Sequence, residues 1–220
     1  GLGIARLKKW WQKFGLDQKT GIDLPGEAEG FLPDPEWKSQ KTGRNWLIGD
    51  TYNVSIGQGD LLVTPINLLS VISAIAGDGV EMKPRLIKKI YDDGGQVVLE
   101  KNPEIMRDLR PEIGGTLAEV QAGMRDAVRA SYGTANLLNN LPFPTAGKTG
   151  SAQIANNTKT NAFFVGYGPY PEKDGDEKPR IAILILVEDA KEGSLNAVPI
   201  ARDALRWYYE NRIRKEKNSF

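Results

Sequence analysis

The chain has 220 residues, 40% of them hydrophobic and 26% charged, and 29 Lys plus Arg against 28 Asp plus Glu leave a formal charge of +1. That is the make-up of a globular domain, with no basic excess to point to nucleic acid and no electrostatic case for an acidic partner. His and Cys are both absent, which removes a Ser-His-Asp triad, a thiolate nucleophile, a His-ligated metal and a disulfide framework within these residues; proton transfer has to use Lys, Tyr, Asp or Glu.

The longest apolar run, Ile181 to Val187, is far short of the roughly 20 residues that span a bilayer, and no signal peptide is visible. The chain opens at Gly1-Leu2-Gly3-Ile4 without an initiator Met, as expected of a fragment of a longer protein. Leu7, Trp10, Trp11 and Phe14 recur at helical spacing between Lys8, Lys9 and Lys13, and Gly15 follows as a stop. This predicts an amphipathic helix over Leu2 to Phe14, with the paired tryptophans as core anchors rather than a binding platform. From Thr20 to Trp46 the pattern dissolves among Gly21, Pro25, Gly26, Gly30, Pro33, Pro35 and Gly43, which reads as one long loop.

Asn53-Val54-Ser55-Ile56-Gly57-Gln58-Gly59-Asp60 is a second glycine-rich stretch, and it reads as a structural tight turn; it lacks the Lys-Ser/Thr of a phosphate loop. Thr64 as N-cap and Pro65 in the first turn start a buried helix through Leu68, Leu69, Val71, Ile72 and Ile75, ending near Gly77. Pro84 to Tyr91 and Gln96 to Leu99 flank Asp92-Asp93-Gly94-Gly95 as a peripheral hairpin. Thr116-Leu117-Ala118-Glu119 reads as a capping box opening a helix through Val120, Met124 and Val128, which runs into a turn at Ser131 to Ala135.

The stretch that organises the rest is Thr145-Ala146-Gly147-Lys148-Thr149-Gly150-Ser151-Ala152-Gln153. Its side chains are short where a core strand would be bulky, and glycine inside a strand pattern marks a bulge or the close approach of a ligand or another backbone. One cation and two hydroxyls would then stand on an unobstructed strand edge, able to pair an extended peptide and bind an anionic end group. Asn161 to Tyr167 and Arg180 to Glu188 follow as strands, the latter an Ile-Leu-Val run expected to be buried on both faces. Pro169 to Pro179 between them reads as a solvated hairpin turn. Three strands at hairpin spacing predict an antiparallel sheet, and a helix from about Val198, with Ile200, Ala204, Leu205 and Tyr208 along one face, should lie across it. The fold class is α+β, an antiparallel sheet covered by helices.

Several stretches together resemble the C-terminal part of the transpeptidase domain of class B penicillin-binding proteins, the elongation type in particular. They are Thr20-Gly21-Ile22-Asp23-Leu24-Pro25-Gly26-Glu27, Leu32-Pro33 through Glu36-Trp37-Lys38, Ser55-Ile56-Gly57-Gln58-Gly59 with Val63-Thr64-Pro65, Gly133-Thr134-Ala135, Gly147 through Gln153, and Phe163-Phe164-Val165-Gly166-Tyr167. They stand in the family's order and spacing across nearly all of the chain. Of the family's Ser-x-x-Lys, Ser-Asp-Asn and Lys-Thr-Gly set only the last is present, at Lys148-Thr149-Gly150.

The resemblance implies that residues 1–220 are the C-terminal part of a single transpeptidase domain, with the first strands, the nucleophile helix, a pedestal domain and a membrane anchor lying outside them. It implies D,D-transpeptidation, in which a serine attacks the penultimate D-Ala carbonyl of a peptidoglycan stem peptide, expels terminal D-Ala and passes the acyl group to an amine. By position Lys148 is the cation beside the nucleophile. Thr149 and Ser151 hydroxyls hold the terminal carboxylate, and Gly150 and Gln153 complete the substrate strand. The Ser151 N–H is an oxyanion-hole donor. The same resemblance implies no cofactor or metal. Its implied partners are stem peptides, β-lactam antibiotics and a membrane glycosyltransferase of the elongation machinery, at the outer face of the cytoplasmic membrane of a bacterial envelope.

Overall fold

A computed structural model describes residues 1–154 and 158–217. The chain divides into two compact units, residues 1–74 with 80–109 and residues 75–79 with 110–220.

The first unit is rich in loops, and charged caps hold it. Helix α1, Gly3–Lys13, forms as its periodicity requires, but none of its residues is fully buried; Trp10 and Trp11 are half-exposed and Lys13 lies over the Trp10 ring, so the tryptophans are not core anchors. The stretch expected to be a single loop contains helix α2, Pro35–Thr42. Asp34 starts it by accepting the Trp37 N–H at 2.8 Å while meeting the Lys8 ammonium, Pro35 occupies the first turn, and Gly43 ends it in the left-handed region at φ 67°. Helix α3, Ile48–Ser55, absorbs Asn53 to Ser55 of the second glycine-rich stretch, and the turn follows from Ile56. Asp50 accepts the Leu47 N–H at 2.7 Å and pairs with Lys38. Helix α4, Pro65–Ala76, begins where predicted, with Thr64 Oγ1 accepting the Asn67 N–H at 3.3 Å.

Four short strands follow. The peripheral hairpin is β2, Lys89–Tyr91, against β3, Val97–Glu100, in antiparallel register. Unforeseen are β1, Val80–Met82, and β4, Ile105–Asp108, which pair around a Glu81–Arg107 ion pair at 2.9 Å. Burial of Glu81 pushes its carboxyl up, against the pull of the guanidinium. Asp23 is the opposite case. The Leu86 N–H at 2.6 Å, the Lys101 ammonium and the Ile87 N–H hold its carboxyl far below the usual carboxylate range.

In the second unit helix α5, Arg110–Arg129, starts six residues before the expected capping box, with Pro111 in its first turn. Thr116 is mid-helix and donates to the Ile113 carbonyl, so it caps nothing. The sheet has the order β5-β6-β7, with β5 Ala146–Ile154, β6 Lys159–Gly168 and β7 Ile181–Val187, all antiparallel. Side chains alternate across the sheet, so the register puts Gly147, Thr149 and Ser151 on one face with Gly166, Phe164 and Ala162 and with Ile183, Ile185 and Val187. That face meets Val128, Leu138, Val198, Ala201 and Leu205 in the core. β7 is partly exposed along its whole length because it is an edge strand, and so it is not the doubly buried strand expected. Helix α6, Val198–Tyr208, covers the sheet; of the expected face Leu205 is buried and Tyr208 half-buried, whereas Ile200 and Ala204 are exposed and Val198 and Ala201 are buried instead. The turn before it, Gly193–Ala197, is wide.

The strand glycines are small for a packing reason. A Cβ at Gly147 would lie 2.5 Å from the tip of the fully buried Phe164 ring, and one at Gly166 2.7 Å from it. Gly147→Ala should therefore cost about 2 kcal/mol through overpacking. Gly114→Ala, on an exposed position of α5 with nothing within 4 Å, should instead stabilise by about 0.5–1 kcal/mol. Urea denaturation of the two variants reads both signs. Because the Asp23 carboxyl is depressed, its contribution is present above the unfolded carboxylate pKa of about 4 and is lost as pH falls through the folded value. Asp23→Asn should then flatten the acid limb of the stability profile between about pH 5 and 2, followed by denaturation at each pH.

Candidate functional site

The site is assembled by the end of α5. A helix leaves its last carbonyls without intrahelical partners, and here the following turn returns to satisfy them. The Ala135 N–H donates to the Ala127 carbonyl at 2.9 Å, and Asn136 Nδ2 donates to the Val128 and Ala130 carbonyls at 3.2 and 3.0 Å. Gly133 packs so tightly on this end that a Cβ would sit 2.4 Å from the Ala127 oxygen. With Gly133 and the buried Ala135 fixed, Thr134 is delivered to the edge strand, where its hydroxyl and that of Thr149 lie 2.7 Å apart.

β5 is an edge: among the described residues no strand pairs with it on the side away from β6. The predicted site residues divide about that edge. Thr149 is half-buried on the core face, where it meets Thr134. Ser151 is exposed on the same face, and its Oγ accepts the Gly193 N–H at 3.3 Å. Lys148 projects from the opposite face, aligned with Val165 and the fully buried Tyr167; its ammonium is exposed, donates to the Thr149 carbonyl and has no carboxylate partner among the described residues. The cation and the two hydroxyls are thus not side by side but straddle the edge. At Gly150 the close approach that the glycine announced is made by the chain itself: Gly193 packs on the Gly150–Phe163 backbone. Gln153 is exposed near the far end of β5, and among the described residues no side-chain hydrogen bond joins it to the others.

Two contributors escaped the sequence reading. Thr134 lay inside a quoted motif, but nothing local says that its hydroxyl reaches a strand residue 15 positions on. Gly193 stands in a polar loop with no signal of its own. Burial pushes the Tyr167 phenol well above its ordinary range, which favours its protonated form.

The geometry therefore presents a free strand edge with a cation on one face and paired hydroxyls on the other, built on a helix-covered antiparallel sheet. This chain belongs to the penicillin-binding protein transpeptidase domain family, whose profile matches residues 1–206. It is 30% identical to the peptidoglycan D,D-transpeptidase MrdA of Haemophilus influenzae over 96% of this chain and 34% of that protein, so it spans about a third of its curated relative's length. Among solved structures, Pseudomonas aeruginosa PBP2 in complex with WCK 5153 aligns with TM-score 0.78 and 31% identity, over 96% of this chain and 45% of that one. A chain from work on the structural coordination of polymerization and crosslinking by a peptidoglycan synthase complex aligns with TM-score 0.75 and 30% identity, over 95% of this chain and 33% of that one.

Thr134→Val keeps the shape and removes the hydroxyl pair. It should cost about 1 kcal/mol of stability by urea denaturation, and Thr149→Val in that background should cost little more, because the same bond is already gone.

Proposed function

We propose that these residues are the C-terminal part of the transpeptidase domain of an elongation-type class B penicillin-binding protein, a peptidoglycan D,D-transpeptidase working through an acyl-serine. The two compact units are, in this reading, parts of that one domain. No Ser-x-x-Lys occurs in the 220 residues, so the serine and its lysine base belong to sequence outside them.

The observation that carries the reading is the open β5 edge straddled by Lys148 and the Thr149 and Ser151 hydroxyls. A stem peptide laid along it extends the sheet through its backbone, with side-chain groups reaching it from both faces. Thr149 and Ser151 then hold the terminal carboxylate, the Ser151 N–H donates to the oxyanion, and Gly150 and Gln153 lie along the bound strand. Lys148, whose ammonium has donors to spare beyond the Thr149 carbonyl, puts positive charge beside the serine's proton network. β-Lactams are bound as mimics of the same acyl donor. A membrane glycosyltransferase is the proposed partner, at the outer face of the cytoplasmic membrane; the likeness to a chain of a peptidoglycan synthase complex supports this.

Both the substrate carboxylate and the transition-state oxyanion are negative, and a cation held in a partly dry groove is worth more than one at the surface. In the complete protein Lys148→Ala should slow acylation by a β-lactam on the order of 100-fold, roughly 3 kcal/mol. Lys148→Arg should recover part of it, because the planar guanidinium does not fit a compact ammonium site. Thr149→Val should weaken binding more than it slows acylation. Second-order acylation rates across the three variants test this, and a Lys148→Ala protein acylated within about threefold of the parent would reduce the lysine to a structural role.

A further inference from the structure

Ser151 stands exposed on an edge strand. A group that meets its hydroxyl arrives from the loop before α6, whose Gly193 N–H donates to Ser151 Oγ and so favours one rotamer. Gly193 is buried, and a Cβ there would lie 2.3 Å from the Phe163 carbonyl oxygen and 2.7 Å from that of Gly150, so only glycine lets this backbone come so close. Asn196 holds the loop in that place. Its Oδ1 accepts the backbone N–H groups of Lys191 at 3.0 Å and Glu192 at 3.1 Å, and its own N–H donates to the Glu192 carbonyl at 3.0 Å. One amide oxygen thereby clamps the two residues before Gly193, while Ala197 and Val198 after it are locked in the core.

We propose that Asn196 is a positioning residue for the acyl-transfer site: through the Lys191–Glu192 clamp it aims the Gly193 N–H, and with it the Ser151 hydroxyl, at the substrate's carboxylate. This rests on the transpeptidase reading above. Asn196 is separated from the strand by the loop it organises, and its effect reaches substrate only by way of Ser151. A side chain that merely stabilised the fold would act whether or not that hydroxyl were present.

The test is the second-order rate of acylation by one β-lactam, measured on the complete protein with its serine. Asn196→Ala should lower the rate about tenfold, the order of one hydrogen bond's worth of alignment. Asn196→Asp, whose carboxylate still accepts both N–H groups, should return to within about threefold of the parent, short of full recovery because it adds charge beside Glu192. In a Ser151→Ala background Asn196→Ala should have no further effect. Equal losses in both backgrounds, or a parental rate for Asn196→Ala, overturn the proposal. Should the alanine variant fail to fold, Asn196→Gln, which keeps the amide but displaces its oxygen by one methylene, carries the same comparison. A parent protein that penicillin does not acylate at all sinks the transpeptidase reading itself and this inference with it, an outcome distinct from a parent that reacts and variants that do not differ.

Discussion

The second unit depends on one aromatic ring lying where two glycines leave room for it. Phe164 is fully buried on the core face of the central strand, and its tip occupies the space that side chains at Gly147 and Gly166 would fill. Close packing gives a ring in such a place little freedom, so the three strands are drawn to a single register, Thr149 against Phe164 and Phe164 against Ile185. The same face then receives Val128 from α5 and Leu205 from α6. With the core completed on that side, β5 stays at the edge of the sheet with short side chains, and the molecule has a strand that a ligand can pair with.

The edge is shaped by backbone hydrogen-bonding demands more than by side-chain packing. The terminal carbonyls of α5 need donors, and the turn that supplies them carries Thr134 to Thr149. The amides at the start of the loop before α6 need an acceptor, and Asn196 provides it. The two hydroxyls on β5 are each met by a group whose position is set by satisfying a neighbouring element. Lys148 is the exception. It lies on the other face, tied among the described residues to a strand carbonyl, and that leaves an ammonium in reach of the edge.

The first unit is held differently. Its short helices bury few residues, and its loops are pinned by carboxylates that accept backbone N–H groups: Asp23 from Leu86 and Ile87, Glu27 from Thr20 and Gly21, Asp34 from Trp37, Asp50 from Leu47. Every one of these carboxyls is shifted below its ordinary value. The Lys8 ammonium leads for Asp34, the Lys38 ammonium for Asp50, the Thr20 hydroxyl, against burial, for Glu27 and the Leu86 N–H for Asp23, with further N–H groups adding to each. All these bonds favour the charged form, so ionisation and loop structure support each other.

Much of this was legible in the residues alone. The antiparallel order of three strands, the hairpin about Asp92 to Gly95 and the start of α4 at Thr64-Pro65 are local signals, since turn chemistry and capping act over a few residues. The Lys148 to Gln153 stretch also announced a strand edge with hydroxyls and a cation. What the sequence left open was set by ambiguous local signals in some places and by distant partners in others. α2 was hidden because Pro35 and Gly43 look like loop residues until Asp34 and the left-handed turn are seen to cap a helix between them. α5 outran its apparent capping box because Thr116 is used mid-helix. The apolar face of α6 was read in part: Leu205 is buried as expected, but Ile200 and Ala204 are exposed while Val198 and Ala201 pack in the core, a choice made by what the helix meets in the fold. Which face of β5 each group occupies follows from register, and that Thr134 and Gly193 reach Thr149 and Ser151 follows from contacts across 15 and 42 residues. Chain composition determines which chemical groups are available; only the closure of long loops in the tertiary fold determines which of them meet.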